Sequence, residues 1–138
     1  SEKGAAYQWK LMLLMQRNKV EEVNAYAKEL LEAYPNDGDI MGFLSAVIVS
    51  TSEESRFDQE LALRSALRSA ELAKPDSRWA QFAKMRLGWA YYHSGAREKA
   101  IEQMQSALDG VRKLKGSIDF GDLEIGCVDA LKEFRKAK

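Results

Sequence analysis

Residues 85–108 read MRLGWAYYHSGAREKAIEQMQSAL, and their apolar spacing decides the fold class. Leu87, Gly88, Ala90 and Tyr91 recur at helical steps and form one face; Ala100, Met104, Ala107 and Leu108 form a second. Gly95 interrupts the two runs, and a glycine there ends a helix cheaply because it adopts the left-handed conformation without a Cβ clash. The stretch therefore predicts two antiparallel helices. Gly88 and Ala100 carry so little bulk that the two backbones are expected to touch at these positions.

The same 3.6-residue rhythm extends outward in both directions. Ahead of this hairpin, Trp79, Phe82, Ala83 and Leu87 continue one helix, with Lys74-Pro75-Asp76-Ser77 closing the previous helix and capping this one. Leu61, Leu63, Leu67, Ala70 and Leu72 line a long helix that starts between Thr51 and Asp58, and Thr51 with Glu54 has the spacing of a capping box. A helix near residues 40–50 is apolar and β-branched, but helical neighbours on both sides disfavour a strand. Pro35-Asn36-Asp37-Gly38 is turn chemistry, with Asp37 or Asp39 placed to cap the next helix. Val23, Ala27, Leu30, Leu31 and Tyr34 make an amphipathic helix, preceded by a turn at Asn18-Lys19 and a first helix near residues 5–17 whose Leu11–Met15 run is apolar almost all round. After a basic segment at residues 112–117, a final helix from about Asp119 carries Phe120, Leu123, Cys127, Val128, Leu131 and Phe134 on one side and reads as a lid on an exposed end. The class is all-α.

Composition narrows the chemistry. Twenty-one basic and 21 acidic residues cancel within 138, so no global field selects a polyanion or an acidic membrane. No apolar run reaches the roughly 18 residues needed to span a bilayer, and the start Ser1-Glu2-Lys3-Gly4 lacks signal-peptide architecture, so membrane insertion is not expected. A single cysteine rules out an internal disulfide framework and a cysteine-based zinc site, and any Ser-His-Asp triad or Cys-His dyad would rest on His93, the one histidine. Cys127 falls on an apolar face and His93 at the exposed end of a helix. The acidic turn at Asp37 is not a calcium loop, because Ile48 stands where that template needs a glutamate. Glycine-rich phosphate loops, H-E-x-x-H and G-x-S-x-G are all missing, so neither an enzyme nor a cofactor nor a small-molecule substrate is expected.

Leu87-Gly88-x-x-Tyr91 followed by Ala100-x-x-x-Met104-x-x-Ala107 resembles the tetratricopeptide repeat, a helix pair of about 34 residues with an L-G-x-x-Y then A-x-x-x-F pattern. Lys84, Met104 and Arg112 depart from that family's Trp, Phe and closing Pro. Val23, Ala27, Leu30 and Pro35, then Leu63, Leu67, Ala70 and Pro75, fit second-helix and closing positions of two earlier units. The resemblance implies an α-solenoid of about three antiparallel helix pairs, right-handed, in one domain over residues 1–138, with repeats near 4–37, 38–80 and 81–114 and a C-terminal capping helix near 119–137. The step from Leu44-Ser45 to Leu87-Gly88 exceeds the family's period, and the excess is expected partly at residues 51–57.

Members of that family take partners in a concave groove lined by the first helix of each pair. The resemblance maps this groove onto Gln8, Met12, Met15, Gly42, Ala46, Val49, Phe82, Met85, Arg86, Trp89 and Tyr92. Gln8 and Met12 stand where the family's chaperone-tail binders carry a carboxylate clamp, so that activity is not implied. The expected function is a non-catalytic interaction module or scaffold, one that holds a peptide, a partner helix or a second copy of itself on an apolar groove where Phe82, Met85, Trp89 and Tyr92 stand partly exposed. The alternative is a nucleic-acid-binding repeat using Arg64, Arg68, Arg112, Lys113 and Lys115, which the neutral charge disfavours.

Overall fold

A computed structural model describes the backbone of residues 2–136 and the side chains of residues 6–136. Ser1 and Ala137, at the ends of the expected start and cap, lie outside the described residues. The described chain folds as α1 (Glu2–Gln16), α2 (Val20–Ala33), α3 (Gly38–Ile48), α4 (Gln59–Leu72), α5 (Arg78–His93), α6 (Arg97–Leu114) and α7 (Leu123–Lys136), with no strand among the described residues. The all-α reading holds.

Each boundary has a local cause. Asp37 Oδ1 accepts the Ile40 N–H at 3.1 Å and Ser77 Oγ accepts the Ala80 N–H at 3.0 Å, satisfying amides that the first turn of a helix leaves open. The α4 cap differs from expectation. Asp58, not the Thr51/Glu54 box, accepts the Leu61 N–H at 3.0 Å, and the polar run before it stays a loop whose Ser50, Ser52 and Glu54 bond to one another. Asn18 takes φ 55° between α1 and α2, a conformation that asparagine tolerates better than most residues, and Gly95 takes φ 84° between α5 and α6.

Neighbouring helices in the chain pack on one another, and among the described residues each helix touches only helices one or two positions away. The α5–α6 hairpin is closest. A Cβ at Gly88 would meet the Ala100 carbonyl oxygen at 3.2 Å and Met104 Cε at 3.1 Å, so the two backbones approach there as the spacing of small residues predicts. One apolar core runs through the described helices, from Tyr7 and Leu11 through Leu44 and Leu61 to Met104, Cys127 and Phe134. Burying such side chains contributes roughly 1.5 to 3 kcal/mol each.

The long α3–α4 loop is tethered at several points. Phe57 enters the core, Asn24 Oδ1 accepts the Asp58 N–H at 2.9 Å, Arg56 bonds Asn18, and His93 Nε2 lies 3.0 Å from the Ser50 carbonyl oxygen. His93 is therefore a half-buried tie between α5 and this loop, more enclosed than an exposed helix end would be.

Candidate functional site: a groove between α5 and α7

The C-terminal helix is held at both ends, and this decides where a cavity remains. At the α7 C-terminus, Arg97 donates from Nε to the Phe134 carbonyl and from Nη2 to the Arg135 carbonyl, both at 2.7 Å, occupying acceptors the helix end leaves open. At its first turn, Glu124 receives Arg112 Nε and Lys115 Nζ, each at 3.1 Å. Hydrogen bonds from Arg112 first, then from Lys115, hold the Glu124 carboxyl below its ordinary range. Arg78 Nε donates to the Asp119 carbonyl at 3.0 Å and steadies the approach to α7.

Fixed in this way, α7 turns Cys127, Leu131 and Phe134 inward. Phe134 meets Trp89 edge to face at 4.9 Å and stacks on Tyr92 at 4.6 Å, while Trp89 stacks on His93 at 5.7 Å. These geometries suit aromatic quadrupoles. Trp89 is consequently only 8% exposed, which corrects the expectation of a partly exposed ring: the chain's own lid covers it. Tyr92, Phe82 and Met85 are half-buried. Val128, expected on the inner side, is also only half-buried.

Beside this aromatic cluster lies a groove of about 700 Å³. Its floor is Phe82, Met85 and Trp89 of α5 with Phe120, Leu123 and Ala130; its margins are Thr51, Ser52 and Glu53 of the α3–α4 loop and Asp122, Asp129 and Glu133 near or on α7. Gly126 opens the α7 side, since a Cβ there would touch nothing within 4 Å. The volume suits a side-chain cluster or a small ligand.

Of the residues mapped by resemblance, Phe82, Met85 and Trp89 meet in this groove. The others lie elsewhere. Gln8 and Met12 are exposed on α1, and Met15 lines a separate hollow of about 270 Å³ with Val47, Ile48, Arg56 and Phe57. Gly42 and Val49 are buried and Ala46 is exposed. Arg86 is flanked by Trp79 at 5.7 Å and Phe82 at 5.9 Å. Its Nη1 is buried with no hydrogen-bond partner among the described residues, and loss of water lowers the guanidinium pKa.

The cationic set is largely engaged. Arg68 donates to the Pro35 carbonyl at 2.9 Å and to Asn36 Oδ1 at 2.6 Å and pairs with Glu71; Arg112 and Lys115 hold Glu124, and Lys113 lies 3.6 Å from Asp76. Arg64 stands exposed on α4. Among the described residues no group of three or more His, Cys, Asp and Glu could hold a metal ion, and no helix is long and apolar enough to cross a membrane.

Sequence reasoning missed the α7 half of the groove. Asp122, Gly126, Asp129 and Glu133 do recur at helical steps, but they form a polar strip beside the apolar face that marked α7 as a lid, and Ala130, buried, joins the two. No family model, no curated protein and no solved structure matches this chain.

Proposed function

We propose that the chain is a non-catalytic interaction module, a right-handed, tetratricopeptide-like stack of three helix pairs with α7 as cap, whose α5–α7 groove receives an apolar segment of a partner protein. The observation that carries this reading is the open groove with Phe82, Met85 and Leu123 on its floor, bounded on one side by α7, which is anchored at both ends. An anchored apolar recess of this kind offers ready-made burial to a side chain or a helix face, at little ordering cost to the receptor. The stack is supported by the contact pattern, in which, among the described residues, each helix meets only its neighbours one or two places along the chain, as repeat units do.

Filling the groove tests the reading. Gly126 faces open space at the first turn of α7, so Gly126→Trp should obstruct the groove without clash and with some gain in helix propensity. Peptides selected from a displayed random library on the parent domain should lose at least about tenfold in affinity for Gly126→Trp, with the melting temperature unchanged or raised. Selected peptides that bind both proteins equally, or a library that yields none, would overturn it.

A further inference from the structure

The geometry points to a basic amphipathic segment, apolar on one side and carrying lysine or arginine on the other, as the class of partner that the α5–α7 groove takes; this rests on the groove reading above. The chain as a whole is neutral, yet the groove is not. Glu53, Asp122, Asp129 and Glu133 line it, against one cation, Arg78. Among the described residues none of those four carboxylates is in an ion pair. Arg78 is already engaged, its Nε bonded to the Asp119 carbonyl and its guanidinium 4.6 Å from the Phe82 ring.

Placement sharpens the inference. Asp129 and Glu133 stand one turn apart on α7, a like-charge spacing that destabilises an isolated helix, and Glu53 adds a third negative charge from a different element. Between the two α7 carboxylates and Asp122, the same face drops to Gly126 and Ala130, leaving room for a helix or extended strand to approach closely. Apolar floor and acidic margin together match a segment that buries leucine or an aromatic ring while its cations meet carboxylates at the rim, where charge governs partner choice and encounter rate. An acidic segment would set like charges against one another across a partly dehydrated surface. Polyanions are disfavoured for the same reason.

The test uses two labelled peptides of identical apolar pattern, one a leucine/lysine amphipathic helix and the other its leucine/glutamate counterpart, titrated by fluorescence anisotropy. The lysine peptide should bind at least about tenfold tighter at about 0.1 M salt, and the gap should shrink at about 1 M, where screening shortens the range of these charges. The triple variant Glu53→Gln, Asp129→Asn, Glu133→Gln, altering side chains outside the core, should erase most of that preference while melting like the parent. Equal binding of both peptides, with both lost in Gly126→Trp, would overturn the charge class and leave the groove reading standing. Binding of neither would remove both. Lysine-peptide binding untouched by the triple variant would place the charges elsewhere and overturn the inference, as would a concentration-dependent self-association that fills the groove with the exposed Trp9/Met12 stripe of a second copy and is abolished by Trp9→Glu.

Discussion

Trp79 of α5 rests directly on Gly42 of α3: a Cβ at Gly42 would fall 2.9 Å from Trp79 Cε2 and closer still to Cζ2. The indole therefore occupies the space that any side chain at position 42 would need. It is the contact that brings the third and fifth helices together at this level.

Gly42→Ala should consequently cost about 1 to 3 kcal/mol, the overpacking range, despite the better helix propensity of alanine. Urea unfolding measures it. Trp79→Ala should relieve the clash, so the double variant should be less destabilised than the sum of the two singles; strict additivity would show that ring and glycine do not share this space.

Phe134→Ala removes the ring that covers Trp89 and Tyr92 and is itself fully buried. Its loss should lower stability by about 3 to 5 kcal/mol. In a Trp9→Phe, Trp79→Phe background, emission from Trp89 should shift to the red and become open to acrylamide in the same variant. A Trp89 signal that stays blue and protected would mean that something other than α7 encloses it.

Cys127 gives a pH signature. Burial first, and then the nearby Glu124 charge, push its thiol up from 9.0 to about 11. Because the folded chain keeps the proton that the unfolded chain releases, this contribution is intact below pH 9.0 and is lost as pH rises toward 11, by up to roughly 2 to 3 kcal/mol. Tyr7 and Tyr26, also raised by burial, act with the same sign at higher pH. Denaturant midpoints across this window should therefore fall less in Cys127→Ala than in the parent. The parent thiol should react with a thiol probe only as fast as the protein opens.

Arg86 tests whether a dehydrated cation stabilises the fold. Its partly dehydrated guanidinium has one nitrogen without a partner, so Arg86→Met should keep the packing of the side-chain stem and leave stability unchanged or raise it by up to about 1 kcal/mol. Calorimetric melting decides this. A clear loss of stability would mean that the cation contributes through Trp79 and Phe82 more than its dehydration costs.

What the sequence determined by itself is local: where apolar residues recur every three or four positions, where Asp37 and Ser77 cap, where Gly95 turns the chain, and where Gly88 and Ala100 admit a neighbouring backbone. These features arise from backbone sterics and helix periodicity, which act over a few residues and are written in order along the chain. The burial of Cys127 was legible for the same reason. Only the tertiary structure decided which face of α7 meets α5, and that choice covers Trp89 with Phe134 while aiming Asp129 and Glu133 at the groove. It depends on Arg97 reaching the α7 C-terminus and on Arg112 and Lys115 converging on Glu124, pairings between different elements that leave no periodic mark. The seat of Trp79 on Gly42 is likewise a contact between different helices. A helix announces its two faces in sequence, but the neighbour each face finds is set by how all the helices pack together.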